Sequence, residues 1–291
     1  MTPTPELPPA VVRHSVGDLR LTLIDDGPLA FPAAALGADH APADVTAYLE
    51  AHGLPTTHVL MSNVAYLVES PGGRLLVDTG LGPHVFPGDT HRGGRLHSAL
   101  EAIGAPPESI DIVVLTHAHP DHVGGAVHET GEPRFPNARY LVHEREWEFW
   151  TSRTEHEHPV LNFMFRVAST CLAPLQDRIE TFSGDHDVMP GVRALEAPGH
   201  TPGHTALLFE SEGDRLLDTV DALCHPRLSF DHPDWALAVD VDPARARDTR
   251  RRLLRMAVDE RLRILGHHQP FPGIGRVYEI NERFGWTPTL D

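Results

Sequence analysis

The sequence predicts an α/β protein in which two β-sheets pack together and helices cover the outside. Short apolar runs typical of strands recur in both halves of the chain. Each half also has stretches with the 3.6-residue spacing of amphipathic helices. The length of 291 residues allows one large domain with a full core. We therefore predict an N-terminal arm, rich in Pro, at residues 1–18 and a single domain at residues 19–291.

The first half of the chain alternates between strand and helix patterns. The turn Ser70-Pro71-Gly72-Gly73 separates two apolar runs and predicts a hairpin. Leu96, Leu100 and Ile103 have helical spacing. The predicted strands cover residues 19–24, 63–68, 74–78, 110–115 and 138–142, and the predicted helices cover residues 43–51, 95–103, 144–150 and 159–172.

The second half repeats this theme. A long Arg-rich helix is predicted at 243–258, and Pro243 occupies its first turn, where proline is favoured. Polar candidates for a site follow several of the apolar runs, and ligand sites in layered α/β folds collect at such edges. The predicted strands of this half cover residues 192–195, 205–209, 215–217 and 264–265.

One segment of six residues carries most of the information about function. It is His117-Ala118-His119-Pro120-Asp121-His122, directly after a buried apolar run. Histidines two residues apart on extended backbone point to the same side, and the next Asp and His follow the bend at Pro120. Imidazole and carboxylate together form the ligand set that suits zinc or a similar divalent ion. The segment therefore predicts two pairs of ligands aimed at neighbouring metal ions.

Further candidate ligands follow apolar runs later in the chain. His200 lies at the centre of the turn Pro198-Gly199-His200-Thr201-Pro202-Gly203-His204, whose glycines permit a sharp bend. Asp221 comes after the predicted strand 215–217, and His267 and His268 come after the last one.

These motifs together resemble the metallo-β-lactamase-fold hydrolases. The closer resemblance is to the branch of methyl parathion hydrolase and the quorum-quenching lactonases. It rests on residues 116–125, on residues 221–225 with 230–233 and 240–242 downstream, and on His268 leading into Phe271-Pro272-Gly273-Ile274-Gly275. The resemblance implies a four-layer αβ/βα sandwich, with two mixed β-sheets flanked by helices.

The resemblance also implies a role for each candidate. His268 is preferred over His267 because it stands three residues before the Phe-Pro-Gly-Ile-Gly turn. Val220-Asp221 replaces the Gly-Asp common in the family, which keeps Asp218 open as the alternative carboxylate. The implied ligands are His117, His119 and His200 for the first ion, Asp121, His122 and His268 for the second, and Asp221 as the bridge.

Asp78, His204 and the aromatic residues have two interpretations each. Asp78 accepts a hydrogen bond from a ligand histidine or caps a strand, and His204 supports a ligand or starts a strand. His225 matches the branch pattern without an evident role. The aromatic residues form either an apolar wall for the substrate or the packing faces of helices or a dimer contact. The candidate wall residues are Trp147, Trp150, Phe163 and Trp235.

The implied activity is hydrolysis at a dinuclear site. Two divalent ions, Zn²⁺ first and Mn²⁺, Co²⁺ or Fe²⁺ as alternatives, share a hydroxide that attacks an ester carbonyl or phosphoryl centre. Asp121 and Asp221 are the catalytic carboxylates, and no Gly-x-Ser-x-Gly motif suggests a serine nucleophile. We expect a lactonase, an aryl phosphotriesterase, or both. The alternatives are a glyoxalase II-type thioesterase, a mononuclear iron sulfur dioxygenase, and a non-enzymatic, metal-retaining sensor.

Composition limits the partners. The formal net charge is −17, which argues against nucleic-acid and anionic-membrane binding. The N-terminus has neither the basic nor the apolar region of a signal peptide, so we expect a cytoplasmic protein. The expected partner is a small neutral ester, lactone or phosphotriester, and a homodimer is possible by analogy with the branch.

Overall fold

The structure is a computed structural model that describes residues 10–85, 93–152 and 159–289. Two seven-stranded sheets dominate this part of the chain. Residues 11–16 form a strand that pairs antiparallel with the next one, so the predicted arm is wrong there. Five of its six residues are half-buried or exposed at the sheet edge, which weakens the apolar signal. In spatial order the first sheet contains β1 (Val11–Val16), β2 (Leu19–Asp25), β5 (Val64–Ser70), β6 (Gly73–Val77), β7 (Ile112–Leu115), β8 (Arg139–His143) and β9 (Ile179–Phe182).

The second sheet comes wholly from the second half of the chain. In this sheet the strands Asp214–Asp218 and Arg263–Leu265 pair in parallel, and the other neighbouring strands pair antiparallel. In the first sheet, β6 to β9 run parallel. A separate hairpin consists of β3 (Leu29–Pro32) and β4 (His58–Met61). The second sheet contains β10 (His186–Met189), β11 (Val192–Glu196), β12 (Thr205–Ser211), β13 (Asp214–Asp218), β14 (Arg263–Leu265), β15 (Ile274–Ile280) and β16 (Arg283–Pro288).

The inner faces of the two sheets share one apolar core. Leu21, Tyr66 and Val77 of the first sheet belong to the same buried cluster as Phe209 and Leu216 of the second. The run Ile112–Leu115 of β7 is buried throughout, as expected for a strand covered on both faces.

Helices cover the outer face of each sheet. Leu100 and Phe165 pack on the first sheet, and Leu253 and Leu254 pack on the second. This layering confirms the predicted αβ/βα sandwich with two mixed sheets. None of the described helices combines the length and apolar character needed to cross a bilayer. The helices are α1 (Pro42–Ala51), α2 (Gly82–Val85), α3 (Leu96–Ala102), α4 (Pro120–Val123), α5 (Glu144–Thr151), α6 (Pro159–Leu172), α7 (Leu228–Asp231) and α8 (Pro243–Asp259).

Candidate metal centre

Four loops that follow strands of both sheets meet at one edge of the sandwich. His117 and His119 follow β7 in extended backbone, and Pro120 then starts α4, which carries Asp121 and His122. The loops after β11, β13 and β14 supply the other predicted ligands. These are His200, Asp221 and His268. The structure therefore brings all seven predicted ligands together.

The first predicted group is compact. His117, His119, His200 and Asp221 each place one donor atom within 4.8 Å of the others. His119 Nδ1 lies 3.2 Å from His117 Nε2 and 3.0 Å from His200 Nε2. Asp221 Oδ2 lies 3.4 Å from His200 Nε2. Four ligands around one zinc ion at ~2.0–2.1 Å lie about 3.3 Å apart, which matches these separations.

The second predicted group shares Asp221 with the first. Asp121, His122, Asp221 and His268 again place one donor atom each within 4.8 Å. Asp221 Oδ1 lies 3.4 Å from His122 Nε2, and Asp221 Oδ2 lies 3.0 Å from His268 Nε2. Asp121 Oδ2 lies 3.4 Å from both imidazoles. The Asp221 carboxylate thus stands between the two groups, as a bridging ligand would.

Unpartnered atoms and charge both fit a cation here. His122 Nε2 and Asp221 Oδ1 are buried and have no hydrogen-bond partner among the described residues. Burial alone would lower the pKa of His122 and His268, but Asp221 and Asp121 raise both above the ordinary value. Burial likewise opposes ionisation of Asp221, yet His268 and His122 hold its pKa well below its usual range. The negative charge of Asp121 and Asp221 and the converging lone pairs of the imidazoles fit two divalent ions.

An outer ring of acceptors orients three of the imidazoles. Asp78 Oδ2 lies 2.7 Å from His122 Nδ1, so the hydrogen-bonding interpretation of Asp78 agrees with the geometry. Asp240 Oδ1 lies 2.9 Å from His200 Nδ1. The carbonyl oxygen of Ser62 lies 2.8 Å from His268 Nδ1. Because each Nδ1 donates outward, each Nε2 is left free to face the centre.

The two other predicted supporting histidines differ. His204 Nε2 accepts a hydrogen bond from the Asp221 backbone nitrogen at 3.2 Å, and burial lowers the pKa of His204 to about 3, so the ring is neutral. His225 Nδ1 instead accepts from the backbone nitrogens of Arg227 and Leu228 at the start of α7. The described hydrogen bonds of His225 are therefore with α7, and none of them reaches a predicted ligand.

The two alternative ligands lie behind the cluster. His267 stacks on His122 at 5.4 Å between ring centroids, and its Nε2 lies 2.9 Å from Asp218 Oδ2. Asp218 also accepts a hydrogen bond from the Tyr66 hydroxyl. His267 also belongs to a third group of potential metal ligands among the described residues, together with Asp78 and His122. In that group, however, Asp78 already accepts from His122. The geometry therefore favours His268 over His267, and Asp221 over Asp218, as metal ligands.

An apolar cavity of about 220 Å³ opens onto the metal-ligand cluster. Its polar lining atoms come chiefly from the predicted ligands, and its described lining contains no Arg. The apolar lining residues are Leu29, Ala30, Phe31, Met61, Leu81, Val85, Phe163, Met164, Leu237 and Val239.

Of the four predicted wall residues, Phe163 lines this cavity and the three tryptophans do not. Trp150 is fully buried behind His119, with a centroid separation of 5.6 Å. Trp147 lines a separate surface pocket, and Trp235 lines another beside His232. The prediction is wrong for these three. For Trp147 and Trp150 on α5, helical spacing is the same for aromatics that pack in the core and for those that face a ligand. Trp235 lies outside a helix and packs against the rings of Tyr48 and His232.

Sequence reasoning missed two supporting residues. Asp240 carried part of the family resemblance but received no role, and the structure places it against His200. Glu146 is fully buried beside the ligand loops, although a glutamate in the first turn of a helix usually faces solvent. Nothing in the local sequence of α5 signals its burial.

Curated relatives match the same region. The chain is 31% identical over 173 residues to an N-acyl homoserine lactonase of Bacillus cereus, covering 54% of this chain and 62% of that relative. It is 28% identical over 182 residues to the N-acyl homoserine lactonase AttM of Rhizobium radiobacter, covering 54% of this chain and 63% of that relative. The chain thus spans less than two thirds of the length of these relatives.

Solved structures match over nearly the whole chain. AidC, described as a dizinc quorum-quenching lactonase with a bound product, superposes with a TM-score of 0.88 at 26% identity, covering 97% of this chain and 98% of AidC. The hydrolase AbOPH superposes with a TM-score of 0.84 at 28% identity, covering 96% and 97%. Residues 59–268 match the Metallo-beta-lactamase superfamily, and this range includes every predicted ligand. The chain therefore belongs to the metallo-beta-lactamase superfamily.

Proposed function

We propose that this protein is a metal-dependent hydrolase that opens neutral lactones, with N-acyl homoserine lactones as the substrate class. It would hold two divalent ions, zinc by analogy with AidC. The observation that carries the proposal is the pair of four-residue groups that share Asp221 at the floor of an apolar cavity.

The bound ions would supply a hydroxide nucleophile at neutral pH and would polarise the substrate carbonyl. The chain itself contributes orientation. Asp78, Asp240 and the Ser62 carbonyl take the outward protons of three imidazoles, which fixes their tautomers. Asp121 is the ligand most exposed to the cavity, so its carboxylate is placed to hold a proton passing between the cavity and the centre.

The cavity supports an uncharged substrate with an apolar tail. Phe163, Met164 and Leu237 offer walls for an acyl chain and exclude water from the reacting carbonyl. A phosphotriester with an aryl leaving group is the second candidate, because it is also neutral and the aromatic ring of Phe163 offers it a partner. The anionic thioesters of a glyoxalase II-type enzyme are disfavoured, since no Arg lies among the described lining residues.

A paired substrate panel tests the proposal. Acyl-homoserine lactones are compared with methyl parathion and paraoxon, using zinc-loaded and chelated protein. We expect faster lactone opening, lost on chelation and restored by zinc. Dominant phosphotriester cleavage would overturn the lactone assignment, and no hydrolysis of either class by protein that holds two ions would overturn both.

A substitution of the shared carboxylate tests the site itself. Asp221→Ala should lower zinc content below that of the wild type and should remove most of the lactone turnover, because both groups lose a ligand. Asp187→Ala is the matched control, because its side chain is 82% exposed on the far strand β10. Wild-type turnover by Asp221→Ala would contradict the proposed centre.

A further inference from the structure

Glu146 is a fully buried carboxylate that the proposed chemistry does not use. Its Oε1 lies 2.9 Å from the Ala118 backbone nitrogen and 2.5 Å from the Trp150 indole nitrogen. Its Oε2 lies 2.7 Å from the Thr201 hydroxyl and 2.9 Å from the Gly203 backbone nitrogen. Four neutral donors therefore surround one carboxylate inside the protein.

The donors identify what this carboxylate connects. Ala118 stands between His117 and His119, and Thr201 and Gly203 directly follow His200. Each oxygen of Glu146 thus binds a different ligand-bearing loop, one from each sheet. The contact with the second loop is close, because a Cβ at Gly203 would lie 2.4 Å from the Glu146 backbone nitrogen.

The carboxylate form accepts all four of these hydrogen bonds. The two backbone N–H groups and the indole N–H can only donate, so an amide nitrogen in place of either oxygen would face a donor. Burial raises the pKa of Glu146, while the four hydrogen bonds favour the charged form. The side chain nevertheless lies outside the cavity lining, so it cannot contact a substrate there.

We propose that Glu146 is a positioning residue that holds the His117–His119 loop and the His200 loop at the separation needed for the first metal ion. This inference rests on the proposed function, and it assigns Glu146 to one of the two ions. The second group depends on Asp121 and His122 of α4 and on His268, and none of the described hydrogen bonds of Glu146 reaches α4 or the His268 loop.

Metal binding by Glu146→Gln tests this role without relying on activity. Gln keeps the size of the side chain and removes its charge. Glu148→Gln is the matched control, because Glu148 is exposed on the same helix. Zinc affinity is measured by competition with a chromogenic chelator, and the two sites are distinguished by their Co²⁺ spectra. His200→Ala and His268→Ala provide the reference spectra for loss of each site.

For Glu146→Gln we expect one of the two ions to bind at least about tenfold more weakly, the low end of what outer ligand partners contribute. Its Co²⁺ spectrum should lose the bands that His200→Ala loses and keep those that His268→Ala loses. Equal affinity for both ions in Glu146→Gln and Glu148→Gln would overturn the positioning role. A wild type that holds no ion would instead overturn the proposed function.

Thr201→Val provides a second test if Glu146→Gln does not fold. It removes one hydrogen bond from the same bridge, keeps the side-chain shape, and leaves the carboxylate in place. We expect weaker binding at the first site alone, by a smaller factor than in Glu146→Gln. Unchanged binding at both sites in Thr201→Val would overturn the role.

Discussion

Val220 occupies a backbone conformation that valine rarely adopts. Its φ is +47°, in the left-handed region, and its side chain is fully buried directly before Asp221. The family commonly has glycine here, which reaches this region without a steric penalty. The conformation turns the chain after β13 so that Asp221 faces both ligand groups. The backbone of Val220 is therefore strained, and this strained conformation directs the carboxylate of the next residue, which both ligand groups share.

Substitutions by Ala and Gly separate this strain from the loss of the side chain. A left-handed φ costs an L-residue roughly 1–2 kcal/mol, and glycine avoids that cost. Glycine itself costs roughly 0.5–1 kcal/mol relative to alanine in regular structure. At position 220 the first effect wins, so Val220→Gly should be more stable than Val220→Ala by roughly 0.5–1 kcal/mol.

Val68 supplies the matched control. It is also fully buried, but it lies in the regular strand β5. There the order should invert, with Val68→Ala more stable than Val68→Gly by roughly 0.5–1 kcal/mol. The assay is urea unfolding of the four variants after chelation, so that metal affinity does not enter the free energy of unfolding. The same order at both positions would refute the argument from strain.

Three further predictions concern a buried acid, a ligand partner and the cavity wall. Burial raises the pKa of Asp26 from 3.8 to about 6, so the folded protein binds its proton more tightly than the unfolded chain. The contribution of Asp26 to the free energy of unfolding should therefore fall by roughly 2–2.5 kcal/mol between pH 4 and pH 7, and this slope should appear in the difference between the wild type and Asp26→Asn in urea titrations. Asp78→Asn should weaken the binding of one zinc ion by roughly 10–100-fold in chelator competition, because the amide oxygen is needed by the Thr116 backbone N–H and His122 then loses its anionic acceptor; unchanged affinity would contradict this. Phe163→Ala should raise KM for a decanoyl lactone about fivefold, roughly 1 kcal/mol of lost apolar contact, and should leave a butanoyl lactone unaffected. Equal changes for the two substrates would remove Phe163 from the chain-binding wall.

The strands that could be predicted are those with a strong local signal. The buried run in β7 and the helix at Pro159–Leu172 were recognisable from apolar content and spacing alone. β1 and the hairpin of β3 and β4 were missed because edge strands expose alternate residues and carry polar or proline positions. β15 and β16 were missed for a similar reason, since β15 exposes Tyr278 and Ile280 and β16 exposes residues 283, 287 and 288.

The ligands were predictable because each follows a strand in a short motif whose spacing determines direction. The supporting residues were not, because their burial depends on groups far away in sequence. Glu146 becomes an internal residue only when residues 118, 201 and 203 fold against α5. Trp150 is similar: its ring packs behind His119, and no periodicity within α5 distinguishes this position from a cavity wall.

The outer hydrogen bonds are what distinguish this cluster from a group of histidines gathered by chance in a chain with 21 of them. Surface imidazoles leave both nitrogens to water, and their rings are free to rotate. Here His122, His200 and His268 each give Nδ1 to a fixed acceptor, and their Nε2 atoms converge near Asp221. The two buried carboxylates carry a charge that the cations of the proposed centre would offset. The motifs and the family resemblance predict that the ligands meet, and the outer acceptors explain why they meet with the correct nitrogen inward.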